Sequence, residues 1–127
     1  MTHRLLFLIL LVAAMLASGC SAKPRLDPKG VDHVQFISLE RSQTRVATPQ
    51  EEHEFFQAYE SARPLRGDFG TTPPARVEVV FVSGESLVVT GGGETYSTVE
   101  SLEPPLNLRG DELHALMEQI AAGDVHF

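Results

Sequence analysis

Between Ala75 and Phe81 the side chains alternate, with Ala75, Val77, Val79 and Phe81 on one parity and Arg76, Glu78 and Val80 on the other. A period of two is the signature of a strand, because successive side chains of extended backbone point to opposite faces. Ser83-Gly84-Glu85-Ser86 follows as a turn, and Leu87-Val88-Val89-Thr90 reads as the return strand. Together they form a hairpin with one apolar face. A two-stranded hairpin is marginal in water by itself, so the rest of the chain must extend this sheet and cover its apolar side.

Two amphipathic helices are available for that cover. Thr48-Pro49-Gln50-Glu51 reads as a helix start. Threonine caps, proline suits the first helical position, and Glu51 stands where a capping box needs its carboxylate. Phe55, Phe56, Tyr59 and Ala62 then recur at helical spacing, and Pro64 stops the helix. The second helix carries Leu113, Leu116, Met117, Ile120 and Ala121 on one face. Asp111 or Asn107 is the expected cap and Gly123 the expected stop.

The remaining apolar segments are short. Val31 to Glu40 reads as a strand, but Val34 and Phe36 share one parity while Ile37 and Leu39 share the other. It is therefore expected to be buried on both sides or bulged near Phe36-Ile37. Thr95 to Val99 adds a third strand to the meander after Gly91-Gly92-Gly93, and Pro104-Pro105 closes the sheet region. The fold class is then α+β: a two-layer domain in the order β-α-β-β-β-α, with a mostly antiparallel sheet and both helices on one face. The expected core is Phe36, Phe55, Tyr59, Val77, Val79, Phe81, Leu113, Leu116 and Ile120.

The start of the chain has a different character. His3 and Arg4 precede an unbroken apolar run from Leu5 to Leu16, then Ala17-Ser18-Gly19 and Cys20. A charged head, a short apolar stretch and small residues at a cleavage point make a secretory signal peptide. A membrane span needs about 20 apolar residues, more than this run supplies. Ala17-Ser18-Gly19-Cys20 resembles the lipobox of bacterial lipoproteins, although that family prefers leucine where Ala17 stands. The resemblance implies that residues 1–19 are a leader and that Cys20 is the lipidated first residue, the site of acylation. Cys20 is the only cysteine, so nothing in the chain offers it a disulfide partner. Ser21 in place of aspartate implies, by the same resemblance, the outer membrane facing the periplasm if the host is Gram-negative. Residues 20–30 contain Pro24, Pro28 and Gly30 without a periodic apolar face and read as a flexible tether. Residues 31–127 are then one domain.

Charge narrows the partners. The full chain carries a formal charge of −7, and loss of Arg4 with the leader makes it one unit more negative. An acidic balance argues against nucleic acid and against docking of the protein surface on anionic headgroups, leaving the lipid as the membrane attachment. Lys23, Arg25 and Lys29 in the tether are the local exception.

No motif names a chemistry. His53-Glu54-Phe55-Phe56-Gln57 approaches the zinc-protease pattern, but Gln57 replaces the second histidine, and a neutral amide is a poor zinc ligand. Asp68-Phe69-Gly70 lacks every other kinase element, Arg109-Gly110-Asp111 opens a helix, and the triple glycine lacks a phosphate-loop context. His33, His53, His114 and His126 are scattered over separate elements. The expectation is no metal, no cofactor and no catalytic set. A non-catalytic, membrane-anchored envelope module that binds an unidentified protein or envelope partner is favoured, with the Gly67–Pro74 loop as a probe if that partner is an enzyme to be inhibited. The alternative is a small hydrolase or metal-dependent enzyme built on His33, His53 or His114.

Overall fold

The structure, a computed structural model, describes residues 23–65, 73–93, 95–102 and 104–123. A single 3-10 turn at Pro28–Gly30 leads into the strand β1, Val31–Ser38, which folds back on β2, Gln43–Val46. Helix α1, Pro49–Ser61, is followed at once by β3, Arg63–Leu65. Then come β4 (Ala75–Phe81), β5 (Ser86–Gly91), β6 (Tyr96–Val99), β7 (Leu106–Arg109) and helix α2 (Asp111–Ala122). The strands form one sheet in the order β2-β1-β4-β5-β6-β7-β3, with every neighbour antiparallel. This is the expected α+β domain, enlarged by the short strands β2, β3 and β7.

The Ala75–Phe81 hairpin is the centre of the sheet, as its alternation requires. Val77 lies opposite Phe36 on one side and Val89 on the other, and Val79 lies opposite Val34 and Leu87. These side chains are buried, and with Phe55, Tyr59, Leu113, Met117 and Ile120 they form one core. Of the expected core residues only Phe81 falls short of full burial, being packed against the edge of the cluster. Helix α2 lies across β1, β4, β5 and β6, and α1 packs beside α2.

Strand β1 corrects one expectation. Its buried positions are Val34, Phe36 and Ser38 in regular alternation, and the register shift lies between Val31 and His33, not at Phe36-Ile37. Ile37 occupies the helix-free face between Thr44 and Arg76, and Leu39 lies exposed beyond the strand. The mixed parity arose because that outer face tolerates a half-buried isoleucine.

Helix ends follow their local chemistry. The Thr48 hydroxyl accepts from the Glu51 backbone N–H, and the Glu51 carboxylate accepts from the Thr48 N–H, completing the capping box. Helix α2 ends at Gly123, whose φ of 74° is left-handed and whose N–H returns to Gln119 and Ile120 carbonyls. Its start differs from the expectation. The cap is Gly110, without a side-chain hydrogen bond, and neither Asp111 nor Asn107 fills that role. Asn107 belongs to β7, and its Oδ1 accepts from the Thr98 hydroxyl at 2.7 Å. The chain enters α2 directly from β7, pressed against the end of α1. A Cβ at Gly110 would stand 3.0 Å from the Ala62 Cα, so close approach prevails over side-chain capping.

Gly92 is the second tight point. Its φ is +92°, and a Cβ there would meet the Met117 carbonyl oxygen at 2.8 Å. Gly92→Ala is expected to destabilise the protein by about 1–3 kcal/mol through overpacking and a disfavoured backbone. Urea melts followed by far-ultraviolet dichroism measure this, and an unchanged midpoint would contradict it.

Candidate functional site

Residues 23–28 do not hang free of the domain but lie as a strap along α1. A helix leaves its last carbonyls without intrahelical partners and carries partial negative charge there. Helix α1 has no basic residue in its last turn to answer this. Lys23 does so from outside the helix. Its Nζ donates to the carbonyls of Tyr59 and Glu60, each at 2.6 Å, and of Ala62 at 2.8 Å. All three ammonium protons are thereby used. The same Nζ stands 5.0 Å from the Tyr59 ring centroid, a favourable cation–π distance. Partial burial lowers the Lys23 pKa from its ordinary value, while neighbouring Glu60 opposes that shift. The Tyr59 hydroxyl donates to the Pro24 carbonyl at 2.7 Å, and burial raises the phenol pKa. Strap and helix enclose a groove of about 610 Å³, walled by Phe56, Tyr59 and Glu60 against Lys23–Pro28.

The opposite end of α1 holds the most perturbed acid. Arg45 on β2 meets Glu51 through both guanidinium nitrogens, Nη1 to Oε1 at 2.6 Å and Nη2 to Oε2 at 2.5 Å. The Glu51 side chain is 3% exposed and that of Arg45 46%. The Arg45 hydrogen bonds bring the carboxyl down to about 2, against the desolvation that opposes them and with help from the Thr48 N–H. Arg45 in turn lies over the Phe36 ring, 5.9 Å from its centroid. This carboxylate ties β2 to the helix N-terminus.

The helix-free face of the sheet carries a polar row: Thr44, Ile37, Arg76, Thr90, Thr98, Asn107 and Leu65 follow one another strand by strand. Glu100 braces it, accepting from the Thr90 hydroxyl at 3.1 Å and lying 3.9 Å from Arg76.

Among the described residues His33, His53 and His114 are not gathered into a metal-holding group. His33 lies on β1, its Nδ1 2.7 Å from the Asp32 carboxylate. His53 is exposed on the first turns of α1, and His114 sits on α2 beside Glu118. Gln57, the broken zinc position, is exposed one turn after His53. Among the described residues no group of three histidine, cysteine or acidic side chains is placed to hold a metal. Cys20, His126, Asp68-Phe69-Gly70 and most of the Gly67–Pro74 loop lie outside the described residues. Arg109-Gly110-Asp111 is the junction between β7 and α2.

Sequence reasoning missed the role of Lys23. Its one local signal was a helix with an acidic first turn and no cation at its C-terminus, which leaves a negative helix end to be met from elsewhere.

The fold and these contacts define a seven-stranded, antiparallel α+β domain with an N-terminal strap clamped to its first helix. No known protein family, curated protein or solved structure matches the chain.

Proposed function

We propose that the chain is an envelope lipoprotein, anchored through lipid on Cys20, whose domain works as a non-catalytic interaction or assembly module. The lipobox-like Ala17-Ser18-Gly19-Cys20 behind its apolar run carries this reading. The strap supports it. Lys23 follows Cys20 by only three residues and is bound to α1, so an acyl chain on Cys20 would hold the domain within roughly 10 Å of the headgroups. The perturbed and clustered charges support the non-catalytic half. Glu51 caps the start of α1, Lys23 closes its C-terminal end and Glu100 braces the sheet. Each serves architecture.

The test is metabolic labelling with palmitate. The wild type is expected to incorporate label and to accumulate as precursor under globomycin. Cys20→Ser should lose the label and remain uncleaved. Equal labelling of both proteins would sink the anchor. For the module, crosslinking in the native envelope should recover one stoichiometric partner with the wild type and lose it with Cys20→Ser. Substrate turnover abolished by replacing His33 or His114 would instead support an enzyme.

A further inference from the structure

The strap over α1 is held by few contacts, and their loss changes how far the domain stands from the proposed anchor at Cys20. Its inner end is fixed. Asp27 caps the 3-10 turn Pro28–Gly30, and the Val82 N–H donates to the Gly30 carbonyl at 2.9 Å. Its outer end is held by the Lys23 ammonium on three α1 carbonyls and by the Tyr59 hydroxyl on the Pro24 carbonyl. Between these points the hold is weak. Among the described residues no backbone–backbone hydrogen bond joins residues 23–28 to the sheet or to α1. No residue of that stretch is fully buried, and its one leucine, Leu26, is partly buried against the core.

The composition of the segment suits it to leave the helix as well as to lie on it. Pro24 and Pro28 have no N–H, so neither state strands a donor at those positions. A groove of about 610 Å³ lies between strap and helix. A segment with little burial and no paired backbone opens locally at far less cost than the fold as a whole. The carbonyls that Lys23 would leave lie at a helix end, where water takes the place of a lost donor.

We infer that the strap is a two-state clasp that sets the reach of the domain from the bilayer, and that Lys23 is its latch. The inference rests on the lipid-anchor reading, since only an anchored Cys20 turns strap length into distance. With the clasp shut, the three residues from Cys20 to Lys23 span roughly 10 Å. With it open, the ten residues from Cys20 to Gly30 carry the domain. Their root-mean-square span is at least roughly 17 Å and their full extension roughly 33–36 Å. One side chain thereby decides whether the module is held at the headgroups or reaches a partner away from them. Lys23 is the latch because its ammonium makes three of the four hydrogen bonds at the outer end, each to a carbonyl, and also faces the Tyr59 ring.

The experiment uses the full-length protein after its palmitate content has been measured. Trypsin cleavage after Arg25, exposed on the strap, reads the open population. Lys23→Met, which keeps an apolar stem, is expected to speed that cleavage by roughly tenfold through loss of the charge-assisted hydrogen bonds. Tyr59→Phe, which keeps the ring in the core, should speed it by a smaller factor, roughly fivefold. Cleavage after Arg41, exposed in the β1–β2 turn, should not change, which shows that the fold is intact. Neutron reflectometry of the same proteins on a supported phosphatidylcholine bilayer reads the reach. The protein layer of Lys23→Met should stand at least roughly 5 Å further out than that of the wild type. Equal cleavage after Arg25 in all three proteins would overturn the clasp, with or without palmitate. Faster cleavage with an unmoved layer, in palmitate-bearing protein, would overturn its control of reach. Absence of palmitate would overturn the anchor reading and the reach together. The cleavage comparison needs no lipid, so it tells that failure from failure of the clasp.

Discussion

Phe55→Ala is expected to cost about 3–5 kcal/mol of folding stability, because it empties a wholly buried ring from the seam of the helix layer. Phe55 is fully enclosed, with ring centroids 6.1 Å from both Phe56 and Tyr59. Its loss removes apolar burial and loosens Tyr59, whose hydroxyl holds the strap at Pro24. Urea denaturation measures the first effect as a lower midpoint. Limited trypsin proteolysis after Arg25 measures the second as faster cleavage. A loss below half a kcal/mol, in the range of surface substitutions, would contradict the packing described for α1.

Arg45→Ala is expected to cost roughly 2–3 kcal/mol near neutral pH, because it strands the Glu51 carboxylate without its bidentate partner. The half-exposed side of Arg45 keeps the cost toward the lower end of what buried pairs show. The pH dependence follows from the same group. The folded Glu51 titrates at about 2, below the ordinary glutamate range that it regains on unfolding. A depressed carboxylate stabilises the fold fully above its unfolded pKa and loses that contribution as pH falls through the folded value. The wild type should therefore shed stability between about pH 4.5 and pH 2. Arg45→Ala should show a weaker loss across that window, and Glu51→Gln should lack this component. Parallel stability curves for the wild type and both variants would contradict the assignment.

The strongest local signals of the sequence became the strongest features of the fold. Alternation over Ala75–Phe81 became an interior strand of the sheet, Thr48 and Glu51 became a complete capping box, and Gly123 became a left-handed stop. Each depends on residues within four positions of one another, so the relevant energies are local and visible in order along the chain. The strands β2, β3 and β7 were not visible. Gln43–Val46 is exposed throughout, Arg63–Leu65 contains a proline, and Leu106–Arg109 is four residues long. Leu106 and Leu108 do alternate with Asn107 and Arg109, but four residues are too few to announce a strand, and β2 and β3 are strands only because a neighbour supplies their hydrogen bonds.

The candidate site divides in the same way. The proposed anchor at Cys20 rests on a contiguous pattern of residues. The Lys23 clamp joins residues 36 to 39 positions apart, and Arg63 meets Arg109 only through strand pairing across the sheet. Glu51 announced itself as a cap, but its arginine did not.

By itself the sequence determined the class of fold, the two helices with their buried faces and the central hairpin, because short-range periodicity and capping are written in neighbouring residues. Tertiary structure alone decided the strand order, the entry into α2 through Gly110 and the docking of the strap on α1. It also decided the gathering of Arg63 and Arg109 at one edge. Those features arise from contacts between segments distant in the chain, whose energies exist only once the core has brought them together.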